Sequence, residues 1–346
     1  MPRIADYLRK LDSVGASDLL LSSDRPPLYR AQSELLPLPG EGILDDVTLR
    51  AGLRELVSAD EWATLLAERE LSFSIELGPE LRARAICSVG RHGISARLTR
   101  LRVAGATLAD LQLPASFAQW ASADAGLLIV TGPSGSGKTS LVGALCELVC
   151  RERSVQLTRL DRFDEYRIEA ANVAMRAVGT HVGSYARAIE AALEADSDVI
   201  ACGDLDAEGA FALSVEAACS GALVIGELPG HGSVSAVEHL LLMAAEQERT
   251  QLALDLAECL LAVVSLDLLP KKGGGRVPAL ELLMCTPNVA ALLRDGKTSN
   301  LSGLLDREPG MQSMDRSLLD LASRGTIDGR EAYARALDKR AFAAWS

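Results

Sequence analysis

The spacing of apolar positions divides the 346-residue chain into two parts. Ile4 to Val14 has helical spacing, Asp18-Leu-Leu-Leu-Ser22 is a short apolar run, and Pro26-Pro27 marks a turn. Asp46 to Glu68 carries Leu49, Leu53, Leu56, Trp62 and Leu66 near a period of 3.6, predicting one long helix. Strict alternation then predicts antiparallel strands with one wetted face at Leu71 to Ile75, Leu81 to Ile86 and Ile94 to Leu98. Residues 1–103 therefore read as a small α+β domain, and residues 104–111, opening on Ala104-Gly-Ala-Thr107, as a linker.

From residue 112 onward, apolar runs alternate with helical stretches, which predicts an α/β domain over residues 112–346. The strand candidates are Leu127 to Val130, Val155 to Leu160, Asp198 to Cys202 and Ala222 to Ile225, forming a parallel sheet covered on both faces. Beyond Val234 the chain reads as largely helical. It is interrupted there by the turn Lys271-Lys-Gly-Gly-Gly275, which joins two elements, and a short strand at Ala279 to Met284.

Between the first of these strands and a helix from Ser140 to Cys150 lies Gly132-Pro-Ser-Gly-Ser-Gly-Lys-Thr139. The segment Gly132, Pro133, Ser134, Gly135, Ser136, Gly137, Lys138, Thr139, Ser140 has the composition of a phosphate cradle. Glycines let successive N–H groups curl around phosphate oxygens, Lys138 supplies a positive charge, and Thr139 offers a hydroxyl to Mg²⁺. The expected ligand is a nucleotide with Mg²⁺.

Composition narrows the partners. A net charge of −12 argues against a nucleic-acid surface over the whole molecule. No run reaches the roughly 18 apolar residues of a membrane span, and the first residues lack the apolar core of a signal peptide, so a cytoplasmic location is expected. The seven cysteines sit mostly in apolar stretches and read as small buried hydrophobes in a reducing compartment, without zinc-ligand spacing.

Hydrolysis requires acids and a cation in addition to the cradle. Asp204, at the end of Asp198-Val-Ile-Ala-Cys-Gly-Asp204, is placed to hold metal or water; its alternative role is to cap the helix expected from Ala207. Asp161, Asp164 and Glu165 form an acidic cluster that can hold a general base or simply be solvated. Arg91, Arg97 and Arg100 fall on the last strands of the first domain, where they are either its wet face or fingers acting across an interface.

Taken together, these segments resemble the type IV pilus retraction ATPases, the PilT and PilU proteins of the secretion ATPase superfamily. Ala16-Ser-Asp-Leu-Leu-Leu-Ser22 with Pro26-Pro27 and Arg30 is similar to that family's opening, and Leu71 to Glu76 to its FSFE strand. The phosphate loop aligns without gaps. Near the end, Lys271 to Arg276, Glu281, Thr286-Pro287, Leu292 to Lys297 and Gly310-Met-Gln-Ser-Met-Asp315 match further family segments. The resemblance implies a PAS-like N-terminal domain, a RecA-like P-loop motor domain and a hexameric ring of PilT-like subunits. It also implies arginines that reach the phosphates, Arg97 aligning with one and Arg91 less closely. An inner-membrane pilus platform protein would be the partner, with the ring peripheral to that membrane.

Three family boxes are altered. The form ILTIEDPIE is replaced by Val155-Gln-Leu-Thr-Arg-Leu-Asp-Arg-Phe-Asp-Glu165, which sets Leu160 where the water-activating glutamate is expected and Asp161 beside it, on the opposite side of the strand. Asp204 stands for a glutamate, and Asp206 for an arginine. The form GHLVFGTLHT reads Gly221-Ala-Leu-Val-Ile-Gly-Glu-Leu-Pro-Gly-His231, with Ala222 and Pro229 at the histidine positions and His231 two residues late. The expectation is an ATP- and Mg²⁺-binding ring subunit with weakened or lost hydrolysis, accessory to a competent motor. Asp204 and Thr139 are the candidate metal ligands; Asp204, Asp161 and Arg97 are the candidate catalytic residues. The alternatives are an active ATPase with a rearranged acidic box and a non-catalytic scaffold.

Overall fold

Alternation in the N-terminal third produces a one-sided antiparallel sheet. The computed structural model describes residues 4–31, 34–78, 81–101, 106–163, 168 and 170–345. Two compact units result, Met1–Ala104 with Phe163–Arg167, and Gly105–Arg162 with Ile168–Ser346. In the first, α1 (Ile4–Ser13) precedes β1 (Asp18–Ser22), β2 (Leu28–Ala31) and β3 (Glu34–Pro37). Helices α2 (Asp46–Arg54) and α3 (Ala59–Glu68) follow, and then β4 (Glu70–Glu76), β5 (Arg82–Gly90) and β6 (Gly93–Leu101). The sheet runs in the order β3-β2-β1-β6-β5-β4. Leu8, Leu11, Leu19, Leu21, Leu49, Leu65, Phe73 and Leu98 share its core.

Two expectations change in this unit. The single helix from Asp46 to Glu68 is broken in two, because Ser58 starts a new one with a capping box. Its hydroxyl accepts from Glu61 N at 3.2 Å, while the Glu61 carboxylate accepts from Ser58 N at 2.8 Å. Arg91 lies in the two-residue turn between β5 and β6, not on a strand, since Gly90 and Gly93 close the hairpin.

The second unit contains α4 (Ala118–Ala121), β7 (Gly126–Gly132), α5 (Lys138–Glu152), β8 (Leu157–Asp161) and β9 (Val173–Ala177). It continues with α6 (Tyr185–Glu194), β10 (Val199–Cys202), α7 (Ala210–Cys219), β11 (Leu223–Pro229), α8 (Ser233–Met243) and α9 (Arg249–Cys259). The C-terminal part comprises β12 (Leu260–Pro270), β13 (Arg276–Met284), α10 (Pro287–Arg294), α11 (Met314–Ser323) and α12 (Gly329–Arg335). The sheet order is β13-β12-β7-β11-β10-β8-β9. Strand β7, buried at every position, lies between β11 and β12, both parallel to it.

The sheet is mixed, because β13 pairs antiparallel with β12 across the turn at residues 271–275. Strand β12, eleven residues long, lies in the region expected to be mostly helical. Its run Leu-Leu-Ala-Val-Val-Ser-Leu-Asp-Leu-Leu is buried on both faces, so it has neither period. Strand β9, half-buried throughout, was also not expected. Of the cysteines, Cys87, Cys146, Cys202 and Cys259 are buried as expected, whereas Cys219 is exposed. No helix among the described residues is long and apolar enough to cross a membrane.

The first unit depends on one polar junction. Asp46 accepts hydrogen bonds from Ser23 Oγ (2.6 Å), Arg50 Nε (2.6 Å) and Ile94 N (3.0 Å), tying α2 to the end of β1 and the start of β6. Gly93 has a φ of +102°, and a Cβ there would lie 2.5 Å from the Asp46 carboxylate, so this approach needs glycine. The Ser23 bond, with those from Arg50 and Ile94, holds the Asp46 carboxyl down to about 2. A value below the unfolded one of about 3.9 stabilises the fold above that pH and is lost on acidification through about 2. Asp46→Asn is therefore expected to cost about 1 kcal/mol at pH 7. In urea titrations the gap from wild type should close as the pH falls from about 4 to about 2; equal stability at pH 7 would contradict this role.

Candidate functional site

Strand β7 delivers residues 133–137 to the N-terminus of α5. Gly137 caps that helix in a left-handed conformation, φ +98°, and contributes no side-chain cap. The first-turn N–H groups of α5 and its positive dipole end are left for an anion. Lys138 Nζ donates to Gly132 O (2.7 Å) and Pro133 O (3.0 Å), drawing the loop around the ammonium group. Burial lowers the Lys138 pKa, with Glu227 acting against that shift. Ser136 is buried, Ser134 and Gly135 are exposed, and Pro133 and Ser140 are half-buried.

Thr139 Oγ1 donates to Glu227 Oε2 at 2.9 Å. Glu227 was not singled out from the sequence. It lies on β11 opposite Val130 of β7, is 5% exposed, and has its other oxygen, Oε1, without a hydrogen-bond partner among the described residues. Thr131 Oγ1 and Ser136 Oγ, buried before and within the loop, are likewise unpartnered. Three orphaned buried oxygens beside an uncapped helix N-terminus suit a polyphosphate carrying a cation better than an empty structural turn.

A second charge was also missed. Arg159 on β8 is 1% exposed and holds Asp161 Oδ2 through Nε (2.7 Å) and a terminal nitrogen (2.6 Å). Burial opposes the Arg159 charge, but Asp161, together with Cys146 and Glu227, outweighs it and leaves the guanidinium above its usual value. Burial, and then Asp161, push the Glu227 carboxyl well above the carboxylate range, while Thr139, Arg159 and Lys138 pull it down. The register explains how these charges share a face. Arg159 pairs with Ala201 of β10, and Ala201 with Ile225 of β11, two residues before Glu227. Small residues on β10 leave room: a Cβ on Gly203 would strike the Asp161 carboxylate.

The sequence candidates are distributed around this group. Leu160 is fully buried on the opposite face of β8, packed in the core with Tyr185, Ile189 and Ile200. Asp161 has the Arg159 side of the strand. Asp204 follows β10, and its carboxylate accepts from Asp206 N at 3.0 Å in a tight turn. It does not cap α7, which begins at Ala210 behind Gly209 rather than at Ala207. Burial raises the Asp204 pKa, and no hydrogen bond joins it to Lys138 or Thr139 among the described residues. The carboxylate against Thr139 is Glu227, not Asp204. Asp206 instead meets His239 Nε2 at 2.5 Å. His231 is exposed in the turn after Pro229. Asp164 and Glu165 lie outside the described residues.

Arg97 belongs to the other unit. On β6 it donates to Asp18 Oδ1 from Nε (3.1 Å) and a terminal nitrogen (2.8 Å). Burial acts against the Asp18 charge, but bonds from Arg97, Thr99 and Ser17 prevail and lower its pKa. Arg97 remains half-exposed.

Comparison with known proteins places this geometry among secretion and pilus ATPases. A family model described as type II/IV secretion system protein matches residues 91–296. The Escherichia coli K12 protein YggR, described as uncharacterized, is 31% identical over 315 residues, covering 90% of this chain and 95% of its own. The type IV pilus retraction ATPase PilT of Pseudomonas aeruginosa is 26% identical over 328 residues, covering 93% and 94%. A crystal structure of the pilus retraction motor PilT with bound ADP superposes with a TM-score of 0.87 at 26% identity, covering 98% of each chain.

The buried charges must compensate one another if this description of the site is right. Arg159→Leu strands Asp161 and Glu227 and should cost about 3 kcal/mol in urea unfolding. Combining it with Glu227→Thr should recover part of that loss, giving a non-additive cycle. Strictly additive losses would refute the coupling.

Proposed function

The chain belongs to the type II/IV secretion system protein family, and from that premise we propose that it is an ATP- and Mg²⁺-binding subunit of a PilT-like hexameric ring whose hydrolysis is weakened or lost. In this reading the second unit is a RecA-like motor domain and the first a PAS-like domain. The ring works in the cytoplasm against an inner-membrane pilus platform protein, as accessory to a competent motor. PilT carries ADP in the structure this chain resembles. Here residues 132–140 would hold the phosphates and Thr139 the cation, which would neutralise charge on the transferred phosphoryl group.

One observation carries the weakened-hydrolysis part of the reading: Leu160 is fully buried, while the neighbouring carboxylate of Asp161 is chelated by Arg159. A carboxylate neutralised by a guanidinium on the same strand is a poor acceptor for a proton from water. Lys138 and Thr139 keep the positions that bind phosphate and metal, which disfavours a scaffold without nucleotide. From the family resemblance we assign Arg97, which Asp18 holds here, a role in meeting phosphate on ring closure.

The test is to measure affinity for a fluorescent ATP analogue and phosphate release, for the protein alone and mixed with a competent PilT from the same cell. Binding should be clear and abolished by Lys138→Ala, with turnover at least about 10²-fold below that of the competent motor. Turnover equal to that of the motor and lost in Lys138→Ala would establish an active ATPase instead. Absence of binding would leave a scaffold.

A further inference from the structure

Glu227 is a buried carboxylate without an ion-pair partner of its own among the described residues. The two cations that act on it are engaged elsewhere: half-buried Lys138 donates to the carbonyls of Gly132 and Pro133, and buried Arg159 chelates Asp161. One Glu227 oxygen accepts from Thr139 Oγ1 at 2.9 Å, and the other, buried, has no hydrogen-bond partner among the described residues. A carboxyl in that state is costly unless something bound supplies positive charge or donors.

The site shows where that charge would come from. Thr139 is the hydroxyl that a phosphate-borne divalent cation would use, and Mg²⁺ keeps several of its waters when bound through phosphates. A carboxylate hydrogen-bonded to the ligating hydroxyl lies within one water layer of the cation and can accept from those waters. Asp204, at the end of the next strand, has its carboxylate turned to the Asp206 N–H instead. The buried orphan Oε1 of Glu227 therefore has no evident structural use, whereas a hydrated cation would use it.

Building on the nucleotide-binding reading above, we propose that Glu227 is a positioning residue for the divalent cation, holding cation-bound water from the Thr139 side in the place the sequence suggests for Asp204. The geometry also gives a use to the one charged residue in a stretch that is otherwise apolar from Ala222 to Leu228. It occupies the one position of that strand bonded to the first turn of α5 through a side chain.

The experiment titrates a fluorescent ATP analogue into the full chain, in EDTA and in Mg²⁺, for wild type, Glu227→Gln, Glu227→Thr and Asp204→Asn. Thermal melts report folding, and Mn²⁺ binding to the nucleotide complex, followed by its electron paramagnetic resonance signal, reads the cation directly. Wild type should bind more tightly with Mg²⁺, and Glu227→Gln should lose about 10-fold or more of that gain. Its affinity in EDTA should be unchanged, because without a cation burial already favours the neutral Glu227 carboxyl, which the amide replaces. Mn²⁺ affinity should fall in parallel. Glu227→Thr should behave alike and serves if the glutamine variant fails to fold. An unchanged Mg²⁺ gain in both Glu227 variants overturns the inference and leaves nucleotide binding standing, as does a gain lost only in Asp204→Asn. No binding in either medium overturns both.

Discussion

A glutamate buried beside a phosphate-binding loop is the constraint around which the second unit is organised. Desolvating a carboxylate costs several kcal/mol unless charge or hydrogen bonds are returned to it. Here they come from three elements: the Thr139 hydroxyl on α5, the Lys138 ammonium one residue before it, and the Arg159 guanidinium two strands away. Each donor needs a particular backbone path. Lys138 and Thr139 require the left-handed Gly137 that starts α5 directly after the loop. Arg159 requires Ala201 across the register and Gly203 beyond it, since larger side chains on β10 would fill the space its head and Asp161 occupy.

The same group bears on function. Leu160 and Asp161 point to opposite faces of β8, so the carboxylate at 161, which the family form also carries, does not replace the one absent from 160. Leu160 puts an aliphatic side chain into the core under α6 and α7. Asp161 keeps its negative charge on the face shared with Glu227, where Arg159 neutralises it. In the proposed reading binding is separable from hydrolysis: the cradle would depend on backbone geometry, Lys138 and Thr139, and water activation on the carboxylate position that Leu160 occupies.

Much of this was legible in the sequence where the signal was local. The phosphate loop is a contiguous run whose glycines and lysine state their purpose, and strands β4 to β6 alternate cleanly because one face is wet. Strand β12 was not legible because both faces are buried, and an apolar run without a period resembles a buried helix. The break between α2 and α3 was available in Ser58 and Glu61, three residues apart, yet the leucine period ran across it.

Glu227 and Arg159 went unread for a different reason. Each lies inside a segment that departs from a family form at more conspicuous positions, Ala222, Pro229 and Leu160. The available signal was a charged residue at an interior strand position: Glu227 among Leu223 to Leu228, and Arg159 between Thr158 and Leu160. One such charge could be a sheet-edge residue facing water. Two of opposite sign, on strands that both flank β10 in the same sheet, must both be buried, because neither strand has a free edge on which to expose them. Unexpected charges on neighbouring interior strands are thus a physical cue to a rebuilt site, one that comparison position by position does not supply.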